Sequence, residues 1–167
     1  MTDELTQPTT LTVQDRTGRL RDADVASLKE QACRALTELT KDAAGGGSVR
    51  VVVVSDIEMA AAHERFSGVA GTTDVLTFDL REDGAGPLDT DILICLDEAE
   101  RCGAERGHPT SRELVLYIVH GVLHCLGHDD HDPAAYARMH AREDEVLEAI
   151  GIGRVFARDQ KSLGGEH

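Results

Sequence analysis

The segment from Thr110 to Gly127, TSRELVLYIVHGVLHCLG, constrains the fold more than any other part of this 167-residue chain. Its apolar residues fall on nearly every face of a helix, which is typical of a central helix buried among other elements. A capping box of Thr110 and Glu113 is predicted to begin the helix, and Gly127 is predicted to end it in the left-handed conformation. The rest of the chain must therefore pack around this helix.

Two histidines, His120 and His124, lie four residues apart on the same helix. At about 100° per residue they project onto one face, where two buried imidazoles are costly unless they have partners. A shared metal ion satisfies both rings, and Gly127 can turn the chain so that residues 128–131 supply a third ligand. Three protein ligands with an open position are typical of catalytic zinc. The alternative is that these histidines are core residues held by hydrogen bonds, whereas His140 is predicted to lie on the surface.

Gly121 stands where zinc peptidases of the HExxH type carry their catalytic glutamate. The sequence therefore disfavours a metallopeptidase. Glycine inside a helix costs about 1 kcal/mol relative to alanine, so this residue indicates that something approaches the helix closely. We expect a second backbone or a ligand to lie against it.

The remaining hydrophobic patterns predict the other elements of the fold. Strands are predicted at residues 11–16, 48–55, 73–80 and 91–96. Further helices are predicted at residues 22–40, 57–66, 97–106 and 132–151. Strands and helices mix without strict alternation, so the expected fold class is α+β: a small mixed β-sheet of about four strands and a buried central histidine-bearing helix, surrounded by further helices.

Composition and charge limit the partners of the chain. Residues 11–151 are expected to form a single domain, with a flexible N-terminus at 1–10 and a loose tail at 152–167. No apolar run approaches the ~20 residues of a membrane span and no signal-peptide pattern opens the chain, so we expect a cytoplasmic protein that binds no membrane. A net charge of −14 excludes nucleic-acid binding through a broad basic face, and DNA is not an expected partner.

Three motifs in order resemble the YbeY family, the metal-dependent endoribonucleases of bacterial rRNA maturation. HGVLHCLGHDDH at residues 120–131 resembles the family signature HGxLHLxGYDH. GVAGTTDVLTFDL at 68–80 and TDILICLDEAER at 90–101 are similar to the family's GxxxPTDVLSFPF and GDIxIsxexa segments, and AREDEVLEAIG at 141–151 has the expected place. The resemblance implies a YbeY-like metal-binding domain whose central helix carries the metal-binding histidines.

The resemblance also implies the residues of the site. Register against the signature gives His120, His124 and Asp130 as ligands of one divalent metal ion, with Zn²⁺ the expected metal. A slip of one residue in the turn gives His131 as the third ligand instead, and zinc accepts either side chain. The catalytic residues implied are His120, His124 and Asp129, where Asp129 orients a ligand histidine or takes a proton, or alternatively caps the next helix.

The chain departs from the family pattern in the residues that would hold phosphate. Ser67 stands where the family has an arginine, and residues 69–71 replace a typically basic stretch. Arg65 lies two residues earlier and is predicted to be a surface residue. Thr73 and Asp74 are expected to line the cleft or merely to fix a turn, and His128 replaces the tyrosine of the signature.

The function implied is metal-dependent, single-strand endoribonuclease activity in rRNA maturation and ribosome quality control, with rRNA and ribosomal small-subunit components as partners. The alternative is a catalytically weak or inactive ribosome-assembly factor that retains a structural metal, which the loss of the arginine at Ser67 favours. A third possibility, the metallopeptidase, lacks its glutamate.

Overall fold

The computed structural model describes residues 8–41 and 46–156, and within them four strands and five helices follow one another. Their order is β1 Thr10–Asp15, α1 Asp22–Thr40, β2 Ser48–Val54, α2 Asp56–Ser67, β3 Val75–Asp79, β4 Asp89–Cys95, α3 Leu96–Arg106, α4 Thr110–Cys125 and α5 Pro133–Ala149. The predicted α+β fold class is confirmed. Most of the predicted flexible N-terminus and loose tail lies outside the described residues.

The four strands form one mixed sheet in the order β1-β2-β4-β3. Strands β1, β2 and β4 run parallel, and β3 pairs antiparallel with β4, with Thr77 opposite Ile92. Val49, Val51 and Val53 of β2 belong to the main core, which holds residues of α1, α4 and α5. The other face of the sheet packs on Met59 of α2. The sheet therefore has helices on both faces, which explains the continuous β-branched run of β2.

The helix α4 begins differently from the prediction. Its N-cap is Pro109, and no side chain caps it. Glu113 is fully buried and forms an ion pair with Arg106 of α3, with 3.1 Å between Oε2 and Nη1. The predicted capping box of Thr110 and Glu113 is therefore wrong, because Glu113 has a partner in another helix.

The C-terminal end of α4 follows the prediction. Gly127 has a φ of 96°, in the left-handed region. Its N–H donates to the carbonyl of His124 over 3.2 Å, and the N–H of His128 donates to the carbonyl of Leu123 over 3.0 Å. This pair of bonds is the Schellman motif, and it directs the following residues back towards the helix.

Gly121 lets α4 lie close to the sheet. A Cβ at this position would lie 2.8 Å from Oγ1 of Thr77 and 3.1 Å from Cδ1 of Ile92. The atoms that approach Gly121 therefore belong to side chains of β3 and β4. The expectation that a second backbone or a ligand lies against this glycine is wrong. This contact places His120 and His124 beside strand β3.

None of the helices within the described residues is both long and apolar enough to cross a lipid bilayer. The four cysteines are free thiols.

Candidate metal centre

Three predicted ligand residues meet at the C-terminal end of α4. The Nε2 atoms of His120 and His124 lie 3.0 Å apart. Asp130, in the turn that follows Gly127, places Oδ2 3.9 Å from Nε2 of His120 and 4.0 Å from Nε2 of His124. The helix spacing and the turn together therefore bring one oxygen and two nitrogens to a single point.

The donor set fits a small divalent cation. Zinc binds histidine nitrogen and carboxylate oxygen at about 2.0–2.2 Å, so tetrahedral ligand atoms lie about 3.3 Å apart. Shifts below 1 Å, roughly, bring the three observed separations to this value. The side chains of His120, His124 and Asp130 are 21%, 33% and 32% exposed, so one side of the centre stays open for water or substrate.

A buried carboxylate forms a hydrogen bond with Nδ1 of His120, the ring nitrogen that is not among the candidate ligand atoms. Glu143 of α5 is fully buried, and its Oε1 lies 2.6 Å from Nδ1 of His120. Its Oε2 lies 2.8 Å from Nδ1 of His140, so one carboxylate bridges two imidazoles. A carboxylate on Nδ1 fixes the tautomer of a ligand histidine and directs its Nε2 lone pair to the metal.

His140 is not a surface residue, and that prediction is wrong. Its side chain is 16% exposed and its ring stacks on Phe156 with 3.7 Å between the ring centroids. The charged residues around His140 suggested a solvated face. In the structure this position turns inward because α5 packs against α4 through Glu143.

The environment shifts the pKa values of the two predicted ligand histidines in opposite directions. Burial opposes protonation of His120, but the hydrogen bond and charge of Glu143 outweigh it and raise the pKa of this imidazole. Burial and the neighbouring His120 lower the pKa of His124. A cation requires both rings to be neutral, so protons compete with it mainly at His120 and its binding weakens as the pH falls.

The turn after α4 separates the alternatives for the third ligand. Asp130 belongs to the group of candidate ligand atoms, whereas His131 lines the cleft beside it. Asp129 is exposed and its Oδ1 accepts the N–H of His131 over 3.2 Å. The cap of α5 is Asp132, which accepts the N–H of Ala135 over 2.8 Å, so Asp129 does not cap that helix. The ligand and catalytic roles of these residues stay predictions.

A cleft of about 690 Å³ lies over the ligand atoms. Its described lining comprises Ser67, residues 73–77, Asp79, His120, His124, Cys125 and His131. Thr73 and Asp74 thus lie where they were expected. None of these lining residues is a lysine or arginine. The guanidinium of Arg65 lies 5.2 Å from the ring centroid of Phe66, and the residue is exposed, as predicted. Asp79 of this lining is paired with Arg81 at 2.8 Å, and Asp74 adds a further negative charge, so the described lining carries no excess of positive charge before a cation binds.

A second group of candidate ligand atoms lies in Asp56, Cys95 and Asp97. Arg101 already holds both carboxylate oxygens of Asp56, at 2.7 and 2.8 Å, and lowers the pKa of this acid to about 2. Arg19 pairs with Asp97 at 2.8 Å. These carboxylates are neutralised by arginines and do not require a metal.

Sequence reasoning missed Glu143, although the sequence carries a signal for it. Met139, Val146 and Leu147 form the buried stripe of α5, and Glu143 falls on that stripe at helical spacing. A carboxylate on an apolar face needs a buried partner. His120 of α4 and His140 of α5 supply two.

Comparison with known proteins agrees with the fold. The sequence profile of the family described as Endoribonuclease YbeY matches residues 11–151. The Endoribonuclease YbeY of Roseiflexus castenholzii is 37% identical over 137 residues, which cover 77% of this chain and 86% of that protein. The Bacillus licheniformis protein of the same name is 32% identical over 154 residues, 86% of this chain and 96% of the relative. A solution structure from Thermotoga maritima, 25% identical, covers 84% of this chain and 91% of its own with a TM-score of 0.57. By its sequence, this chain belongs to the endoribonuclease YbeY family.

Proposed function

We propose that this protein is a zinc-dependent, single-strand endoribonuclease that hydrolyses phosphodiester bonds of rRNA in the cytoplasm, in ribosome maturation and quality control. The observation that carries the proposal is the convergence of His120, His124 and Asp130 beside an open cleft. Membership of the YbeY family supports RNA as the substrate. The partners we expect are rRNA and components of the small ribosomal subunit.

The side chains at the candidate metal centre have distinct roles. A bound divalent ion supplies Lewis acidity, which lowers the pKa of water towards ~7 and polarises a phosphate. His120, His124 and Asp130 hold the ion, and Glu143 keeps the proton of His120 on Nδ1. Asp129, the exposed neighbour of Asp130 in the turn, orients a ligand histidine or accepts a proton.

The charge of the cleft limits how RNA is held. Asp74 and Asp79 line it; Arg81 pairs with Asp79 at 2.8 Å, whereas the carboxylate of Asp74 repels a phosphate backbone. Affinity for RNA therefore comes from the metal centre, from unstacked bases of single strands and from neighbouring ribosomal components, since basic residues do not grip the backbone here.

The test is single-turnover cleavage of an rRNA precursor by protein purified without a histidine tag. We expect cleavage by protein that contains about one equivalent of zinc, loss of cleavage with a chelator, and recovery when zinc is added back. Elemental analysis of the same sample measures the metal. Absence of cleavage from zinc-loaded protein would reject the nuclease, and cleavage unaffected by a chelator would reject the metal centre.

Ser67 favours a second candidate, a ribosome-assembly factor that retains a structural metal with little catalysis. It lines the cleft, at the position of the family's arginine, and no described basic residue replaces that charge there. Stimulation of subunit assembly by both zinc-loaded and chelated protein, with no cleavage of the precursor, would support this candidate over the nuclease.

Replacing Ser67 by arginine is expected to raise the single-turnover rate at least about tenfold at low salt, because a cation beside the scissile phosphate stabilises the charge that develops on it. Ser67 is exposed at the end of α2, so the longer side chain fits without repacking. Arg65→Ala is the control, and its rate should equal that of the original protein. Equal rates for Ser67→Arg and the original protein would show that another group holds the phosphate.

A further inference from the structure

A second cavity, of about 270 Å³, adjoins the metal centre. It shares His120 and Asp74 with the cleft, so the two spaces meet at a ligand histidine. We call it the side pocket and define it by the residues of its walls beyond the metal centre, which are Arg106, Glu113, Tyr117, Tyr136, His140 and Phe156.

One wall of the side pocket is aromatic. His140 stacks on Phe156 with 3.7 Å between ring centroids and an angle of 27° between the rings. Tyr136 packs edge-on against His140 at 4.0 Å and is 51% exposed, so it forms the rim. A half-exposed tyrosine beside a stack of rings offers a flat apolar surface to a planar ligand.

The lining of the side pocket also contains an unsatisfied hydroxyl. Tyr117 is 4% exposed, and its Oη has no nitrogen or oxygen partner among the described residues. Its polar neighbour is the thiol of Cys102, a weak partner, and burial together with this thiol raises the pKa of Tyr117, so the hydroxyl keeps its proton. Nε2 of His140 is also buried without a partner among these residues. Buried polar atoms of this kind normally have partners, so two of them on residues that line one cavity indicate a polar ligand.

The charges around the side pocket exclude an ion as that ligand. The carboxylate of Glu113 pairs with Arg106 at 3.1 Å, and Glu143 is occupied by two histidines. A cation would find Glu113 and Glu143 already occupied and Asp130 in the predicted metal centre, and an anion would be repelled by Asp74 and Asp130. A neutral, planar molecule with hydrogen-bonding edges suits the aromatic rings and the polar atoms of the lining.

We propose that the side pocket binds the base of the nucleotide next to the scissile phosphate. This inference rests on the proposed function, because RNA held at the metal centre brings the base to the pocket. Unpaired bases stack on aromatic side chains and are read by hydrogen bonds to their edges. The aromatic rim stacks the ring, and the hydroxyl of Tyr117 with Nε2 of His140 contacts its edge.

Saturation-transfer NMR tests the pocket without any cleavage. Zinc-loaded protein is mixed in turn with adenosine, guanosine, cytidine, uridine and free ribose. We expect transfer to the base protons of at least one nucleoside and none to ribose. Tyr136→Ala should weaken the binding about tenfold, the size typical of losing one stacking partner. Tyr117→Phe keeps the ring and its packing, and should change the relative affinities of the four nucleosides.

Phe66→Ala is the matched control, since Phe66 is an exposed aromatic residue that does not line the side pocket. Its nucleoside affinity should equal that of the original protein. Transfer to no base, or equal affinities in the original protein and the Tyr136 and Tyr117 variants, would overturn the proposal. If the proposed function is wrong, zinc-loaded protein does not cleave RNA. The nucleoside measurement does not depend on cleavage, so it still tests the side pocket in that case.

An abasic nucleotide placed along a cleavable RNA gives an independent measurement on the unmodified protein. We expect the KM to rise about tenfold when the abasic position adjoins the cleaved bond. Abasic positions farther away should leave the KM unchanged. The same KM at every position would contradict a base-binding pocket while leaving the nuclease itself intact.

Discussion

Replacing His124 by alanine is expected to lower both the bound zinc and the melting temperature. The variant loses one of three candidate ligand atoms, the Nε2 that lies 3.0 Å from Nε2 of His120. Zinc at 100–1,000 times its Kd stabilises a folded protein by about 3–4 kcal/mol, which corresponds to a shift on the order of 10 °C for a chain of this size. Elemental analysis and thermal unfolding of the same preparation measure the two effects.

Two further variants show whether the third ligand is correctly assigned. Asp130→Asn keeps the size of the side chain and removes the charge, so it should lose zinc like His124→Ala. His131→Ala should keep about one equivalent, because His131 lies outside the group of converging ligand atoms. The reverse result would make His131 the ligand. Unchanged zinc in all three variants would remove the metal centre from the protein.

A chelator separates the loss of metal from a loss of packing. In the chelator neither the original protein nor His124→Ala contains zinc. The variant then differs only by the loss of a partly exposed imidazole ring beside His120. The two chelated proteins should therefore melt close together. A gap that persists in the chelator would assign the stabilisation to the histidine side chain itself.

The features that follow from local chemistry could be predicted from the sequence. The apolar pattern of residues 110–127 predicts a buried helix, and the spacing of His120 and His124 predicts one shared face; both depend only on helix geometry. Gly127 ends the helix because glycine adopts a positive φ without strain. These properties need no knowledge of distant residues.

The remaining features depend on contacts between elements far apart in the sequence. Glu113 fits a capping box locally, yet Arg106 of the preceding helix takes its carboxylate. His140 lies among charged neighbours, and only the packing of α5 on α4 turns it inward. The strand order β1-β2-β4-β3 and the side pocket arise in the same way, since hydrophobic periodicity specifies elements without specifying their neighbours.

Replacing Glu143 is expected to lower both the free energy of unfolding and the zinc affinity. The size of each loss depends on the residue that replaces it. Glu143→Ala leaves the Nδ1 atoms of His120 and His140 without their shared buried acceptor. Removing one partner of a buried charged pair costs about 3–5 kcal/mol of unfolding free energy. Urea unfolding of chelated protein measures this loss apart from any change in metal binding.

Glu143→Gln separates positioning from stability. The amide keeps the volume and one oxygen that accepts the N–H of a histidine, so unfolding should be affected less than in the alanine variant. It removes the charge behind His120, and loss of such a partner lowers metal affinity about 10- to 100-fold. Competition with a chelator of known affinity measures the change in zinc binding.

Glu145→Gln is the matched control on the same helix, because its side chain is 67% exposed and pairs with Arg142 three residues earlier. Exposed pairs of this kind contribute about 0–1 kcal/mol, so both zinc affinity and unfolding should stay near those of the original protein. Zinc affinity that is equal in Glu143→Gln and Glu145→Gln would mean that the buried carboxylate serves packing alone. A selective loss in Glu143→Gln would instead establish that α5 positions the ligand histidine of α4 through a single side chain.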